Sequence, residues 1–262
     1  MNMIIQPSAN DVAVDLFASL DPKAVALLLD VDGTLIEIGP SPYEVYVPEE
    51  LIAMLRRLYD VTGGALALVS GRPIHDIDRL FEPLELPAVG GHGAETRLRR
   101  GEKAERIIDL PDDLRRHLAA AATPENGVVV EDKGYSVALH YRKAPHQAES
   151  LRKHVAAGRA AFPKEMTQLL LGKAMFEVKR PGVSKGEAVR ELMTQPPFAG
   201  RTPVFLGDDV TDESVFEMLP QLGGKGFGVG RHFPALTGIF ASPSEVRRAL
   251  QRLAVRNTAS AP

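Results

Sequence analysis

The chain has 262 residues, 44% hydrophobic and 25% charged, with a net charge of −3. That is enough chain for one large domain or two modest ones, and the near-neutral balance without a lysine or arginine run argues against a nucleic-acid or membrane-surface partner. The absence of cysteine excludes disulfides, thiolate metal sites and cysteine nucleophiles together, and fits a reducing compartment. The opening Met1-Asn2-Met3-Ile4-Ile5-Gln6-Pro7 has neither a basic nor a long apolar segment of the kind a secretory leader needs, so a cytoplasmic location is expected.

Residues 9–20 carry helical spacing through Val12, Leu16 and Leu20, up to a break at Asp21-Pro22. Ala24 to Leu29 is an uninterrupted apolar run, read as a strand buried on both faces. It stops abruptly in Asp30-Val31-Asp32-Gly33-Thr34-Leu35. After a Gly/Pro-rich loop over residues 39–48, Leu51, Met54, Leu55 and Leu58 mark an amphipathic helix that Gly63-Gly64 ends. A second buried strand, residues 65–69, stops at Ser70-Gly71-Arg72, and Pro73 is placed at the first position of the next helix. A third strand-like run reaches Gly90-Gly91-His92-Gly93. Strand–helix alternation of this kind predicts a doubly wound parallel sheet.

The rhythm changes near Leu110: helix over 112–122, hairpin about Asp132-Lys133-Gly134, helix over 146–161, hairpin turning near Gly172. This is an α+β pattern, read as an inserted domain over residues 111–180 between core segments 1–110 and 181–262. The alternation resumes at Ser184-Lys185-Gly186-Glu187, which has capping-box spacing and puts Lys185 in a first helical turn. A short strand over 203–206 ends at Gly207-Asp208-Asp209, with Thr211 expected to cap the next helix. Two short strands follow. Ser242-Pro243-Ser244-Glu245 reads as a second capping box, opening the last helix, and the tail from Asn257 reads as frayed.

Four core elements thus end in polar groups: Asp30/Asp32, Ser70/Arg72, Lys185, and Asp208/Asp209/Asp212. In a parallel sheet the strand ends share one edge, where open α/β sheets bind ligands. Acids held close together repel unless a cation or shared proton relieves them, and oxygen-only ligands suit a hard divalent cation such as Mg²⁺. On a phosphate monoester, Asp30 could attack phosphorus while Asp32 moves protons, and Ser70 and Lys185 could hold the oxygens on which charge spreads. Each piece alone has a plainer reading: a strand-to-helix turn, a solvated lysine, an Asp at a helix dipole, a structural His92. A calcium loop counted from Asp30 fails, because its fifth, sixth and twelfth positions are Thr34, Leu35 and Ser41.

Those residues, in that order, resemble the four motifs of the haloacid dehalogenase superfamily of phosphotransferases: Asp30-Val31-Asp32-Gly33-Thr34-Leu35, then Ser70, then Lys185, then Gly207-Asp208-Asp209-Val210-Thr211-Asp212. The resemblance implies a Rossmann-like core with an inserted cap, a magnesium ion and aspartyl-phosphate chemistry. It implies metal ligands at Asp30, Asp208 and the backbone carbonyl of Asp32, with Asp209 or Asp212 in support. Gly91-His92-Gly93-Ala94-Glu95, His140-Tyr141-Arg142, Phe176-Glu177-Val178-Lys179-Arg180-Pro181 and Lys185-Gly186 are similar to one branch, the trehalose-6-phosphate phosphatases. That branch implies a sugar-phosphate substrate, gripped at the distal glucose by Glu131, Lys133 and Glu177. Arg72, His92, Gly93, His140 and Arg142 join the implied substrate set, His140 and Arg142 reaching either the phosphate or only the cap surface. A monomer without nucleic-acid or membrane partners is expected, with the cap closing over the metal site.

Strand alternation in the inserted segment supports a polar sheet face. Ala138, His140 and Arg142 share one side of their strand; Met175, Glu177 and Lys179 share one side of theirs. Three other readings stay open at this point: a phosphatase for sucrose or glucosylglycerol phosphate, a phosphomutase, and a non-enzymatic sugar-phosphate sensor.

Overall fold

The computed structural model describes residues 9–39, 44–163, 167–172 and 174–256. The tail from Asn257 and part of the Gly/Pro-rich loop, on which two of the expectations above bear, lie outside them. In chain order the elements are α1 (Ala9–Ala18), β1 (Val25–Leu29), α2 (Glu49–Val61), β2 (Leu66–Val69), α3 (Ile74–Leu80), β3 (Ala88–Gly90), β4 (Glu95–Arg97), β5 (Glu105–Arg106), α4 (Asp112–Ala119), β6 (Val129–Asp132), β7 (Ser136–His140), α5 (Ala148–Ala160), β8 (Gln168–Gly172), β9 (Met175–Lys179), α6 (Lys185–Leu192), β10 (Thr202–Gly207), α7 (Glu213–Met218), β11 (Lys225–Val229), β12 (Gly238–Phe240) and α8 (Pro243–Arg256). Two compact units result: residues 1–105 with 184–262, and residues 106–183. The second unit gathers both crossing segments by hydrogen bonds. Leu110 N donates to Gly134 O at 2.9 Å, and Arg180 Nη2 donates to Asp109 O at 2.6 Å.

The core unit holds a sheet of order β12-β11-β10-β1-β2-β3-β4-β5. It is parallel from β12 to β3, but β4, a strand the alternation did not predict, runs antiparallel to β3. Alternation along each strand feeds two apolar layers. Leu27 and Leu29 join Phe17, Leu55, Phe227 and Phe240 on one side; Ala26 and Leu28 join Phe198, Phe205, Val189 and Phe216 on the other. Each fully buried leucine contributes about 1.5–3 kcal/mol, so this doubly covered strand anchors the sheet. The chain winds from β1 through β2 to β3, then returns after the insertion to β10 on the opposite side of β1. The switch point therefore lies between β1 and β10.

Several local expectations change. The buried face of α1 is Ala13, Val14 and Phe17, with Leu16 and Leu20 only partly buried, because Phe17 packs edge-on against Phe227 at 5.3 Å between ring centres. Pro73 precedes α3 as its N-cap residue. Thr211 is not the cap expected of it. Asp209 caps a short 3₁₀ turn over Val210–Asp212, its side chain and that of Asp212 each accepting the other's backbone N–H, and α7 starts only at Glu213. At α8, the Glu245 carboxylate accepts the N–H of Ala241 at 2.8 Å, not that of Ser242.

The inserted unit is an antiparallel sheet of order β6-β7-β9-β8. One face packs on α4 and α5 through Val137, Leu139, Phe176, Val178, Leu114 and Val155. Among the described residues no helix is long and apolar enough to cross a membrane.

Candidate active site

Asp30 follows β1 directly, its backbone N–H donating to Leu206 O of β10 at 3.0 Å. Asp208 follows β10. Leu29 and Leu206 are register partners, so the parallel pairing sets these acids side by side. Lys185 is the first residue of α6, whose N-cap Ser184 accepts the Glu187 N–H at 3.1 Å, so half of the expected capping box is present. The cap fixes where the helix begins and hence where Lys185 stands.

Lys185 Nζ donates to Asp30 Oδ1 and to Asp212 Oδ1, each at 2.7 Å. The second oxygen of Asp212 accepts the backbone N–H of both Asp208 and Asp209 at 3.0 Å. One oxygen each of Asp30, Asp208 and Asp212 lies within 4.8 Å of the others. Asp30 and Lys185 are almost wholly buried and Asp212 is fully so. Burial pushes the Asp30 carboxyl well above its ordinary value; the pull of Lys185 opposes this, and the charges of Asp212 and Asp208 add to the rise. Asp208 is raised by burial and by Asp212. Burial works against the Lys185 ammonium, but Asp30 and Asp212 outweigh it and hold Lys185 above its ordinary value. One ammonium thus faces three clustered carboxylates. That charge deficit, with hard oxygen donors only, fits a divalent cation.

Gly33 is required beside this cluster. Its φ is +79°, and an added Cβ would collide with the Asp208 carboxylate. Thr34, which the motif includes but to which sequence reasoning assigned no role, is fully buried and donates to Asp208 Oδ1 at 3.2 Å. A hydroxyl after the motif glycine was the available signal, but its partner lies 174 residues on.

Ser70 is buried, and its Oγ accepts the Arg72 N–H at 3.1 Å. The Arg72 side chain pairs with Asp32, an arrangement that sequence spacing did not suggest. The His92 ring lies against Gly71, where any side chain would collide with it, and Gly93 abuts the Ser184 carbonyl. Glu95, outside the predicted set, accepts the Ile74 N–H at 2.7 Å and so anchors the start of α3. The Asp209 carboxylate serves its turn and is not among the three gathered acids.

In the inserted unit, register places Glu131, Ala138, Glu177 and Leu170 in one row across the sheet, on the face opposite the apolar layer. Glu131 lies 3.5 Å from both Lys133 Nζ and His140 Nε2. Lys179 shares the face, and burial lowers its ammonium. Arg142 is exposed beyond the end of β7.

Comparison with known proteins agrees with this geometry. A trehalose-phosphatase family model matches residues 28–255. The chain is 42% identical over 211 residues to the trehalose-6-phosphate phosphatase of Escherichia coli (strain K12), covering 78% of this chain and 77% of that one. It is 41% identical over 229 residues to a probable trehalose-phosphate phosphatase of Sinorhizobium fredii, covering 86% and 85%. The solved Aspergillus fumigatus trehalose-6-phosphate phosphatase superposes with a TM-score of 0.67 at 25% identity, over 88% of this chain and 93% of that chain. The wound core with its inserted α+β unit is the haloacid dehalogenase arrangement, and this chain belongs to the trehalose-phosphatase family.

Proposed function

We propose that this chain hydrolyses trehalose 6-phosphate to trehalose and phosphate through an aspartyl-phosphate on Asp30. The observation that carries the reading is the buried Asp30–Lys185–Asp212 pairing beside Asp208, at the switch point of the sheet. Lys185 orients the Asp30 carboxylate. An Asp30 oxygen attacks phosphorus, and Asp32 gives a proton to the departing sugar oxygen. Water then attacks the phosphorus, Asp32 takes its proton, and the bond to Asp30 breaks. Ser70 keeps its hydroxyl proton for a phosphoryl oxygen, since its oxygen accepts from Arg72 N–H. Asp30, Asp208, Asp212 and the Asp32 carbonyl would hold magnesium, which supplies charge neutralisation at the transferring phosphoryl group.

The disaccharide is read, in this proposal, by Glu131, Lys133, His140 and Glu177, because hydroxyls donate and accept and this face offers both kinds of partner. The absence of cysteines supports a reducing cytoplasm as the setting. The test is phosphate release from trehalose 6-phosphate, sucrose 6-phosphate and glucose 6-phosphate, with magnesium and with chelator. Strong preference for the first substrate and loss of rate on chelation are expected. Equal rates on all three, or chelator-insensitive turnover, would refute the reading.

A further inference from the structure

We propose that Arg72 is the positioning residue for Asp32, holding the proton-transfer carboxylate in place without itself binding phosphate. The geometry carries this. Arg72 Nε and Nη2 each donate to a different oxygen of Asp32, both at 2.6 Å. Two parallel charge-assisted bonds fix the plane of a carboxylate as well as its position, which a lysine cannot do. The guanidinium side chain is 10% exposed and the Asp32 side chain 34%, so the fork is anchored from the protein side and its cargo faces the solvent-accessible side.

The backbone at both ends of the pair is held by hydrogen bonds. Arg72 O accepts the Gly91 N–H at 2.8 Å, and Arg72 N–H is held by Ser70 Oγ. On the other side, Ile36 N–H donates to Val31 O at 3.0 Å and Gly33 N–H to Ile36 O at 2.8 Å, closing the turn that carries Asp32. The fork therefore ties the first strand end to the second across 40 residues of sequence. It selects one placement for a side chain that would otherwise sample several rotamers at a partly exposed site.

The inference rests on Asp32 acting as the acid in the first half-reaction, and the experiment separates the two. With enzyme in excess, release of the first product is followed in a single turnover for trehalose 6-phosphate, whose sugar oxygen needs a proton. It is followed in parallel for acetyl phosphate and p-nitrophenyl phosphate, whose leaving groups need none. Arg72→Lys and Arg72→Met should slow the sugar phosphate about 10–100-fold, within the range general acid catalysis supplies, and move the other two by no more than about twofold. Equal losses on all three substrates would mean that Arg72 holds the phosphate or the fold, and no loss on any would mean that it holds nothing needed; either overturns the proposal. Asp32→Asn is the reference. If it shows the selective loss and the Arg72 variants do not, the Arg72 inference fails alone. If it shows none, the acid role of Asp32 fails first.

Discussion

The two units handle charge in opposite ways. In the core unit Lys185, Asp30 and Asp212 are almost fully buried, at 2.7 Å, with the second Asp212 oxygen committed to two backbone N–H groups. In the inserted unit Glu131, Lys133 and His140 stand at 3.5 Å, with side chains 27–51% exposed. Buried ions are tolerated only when each is paired and hydrogen-bonded, so the first cluster is rigid and removal of one member is costly. Exposed ions at the longer spacing contribute little to stability and stay available to a ligand. The proposed phosphoryl transfer, which cannot tolerate misplacement, would use the buried cluster; the proposed sugar recognition uses the exposed one.

The sharpest break of this contrast is Asp30→Asn, which should cut phosphate release by at least about 10³-fold and leave no acid-stable phosphoprotein. Chelation should bring turnover of the wild-type protein close to zero, and added magnesium should restore it in a phosphate-release assay. Lys185→Met, measured by urea unfolding of metal-free protein, should cost about 3–5 kcal/mol by leaving Asp30 and Asp212 buried without their cation. On the other side, Glu177→Gln should raise KM for trehalose 6-phosphate about tenfold, leave acetyl phosphate turnover unchanged and shift stability by less than about 0.5 kcal/mol.

The smallest effect expected is at Asp132, which Arg115 joins to α4 with bonds of 2.9–3.1 Å. Burial works against ionisation there, but Arg115 and the Gly134 N–H outweigh it and lower the carboxyl below its ordinary 3.8. A lowered folded-state value contributes stability above the unfolded value, lost as pH falls through the folded one. The stability difference between wild type and Asp132→Asn should therefore be constant near neutrality, begin to shrink as pH approaches 3.8 and vanish only below the lowered folded-state value. A difference that persists in acid would show that the contact is not ionic.

Much of the site was legible because a buried strand makes a strong apolar run, and its end is marked by the first polar residues. Asp30, Ser70 and Asp208 all stand just past such runs. Lys185 was legible through its Ser184 cap. Thr34 was not, because a hydroxyl bonded to Asp208 leaves no periodic trace. Nor was the Arg72–Asp32 fork, which joins two loops that only the sheet brings together. The helical stripe of α1 was legible only in part: Leu16 and Leu20 pack against the core, but Phe17 found aromatic partners in β11 and β12, and helical spacing alone does not reveal which residue meets a ring. At the fourth motif, Asp209 and Thr211 are both good caps; Asp212 decided between them by accepting the Asp209 N–H.

By itself the sequence determined the alternation of elements, the interruption by an α+β segment, and which polar residues end the core strands. Those follow from local periodicity and abrupt hydropathy changes, which need no knowledge of distant partners. Tertiary structure alone decided which carboxylates gather around Lys185 and which one Arg72 holds. Those depend on parallel register and on competition for scarce hydrogen-bond donors in a buried space, and neither is written along the chain.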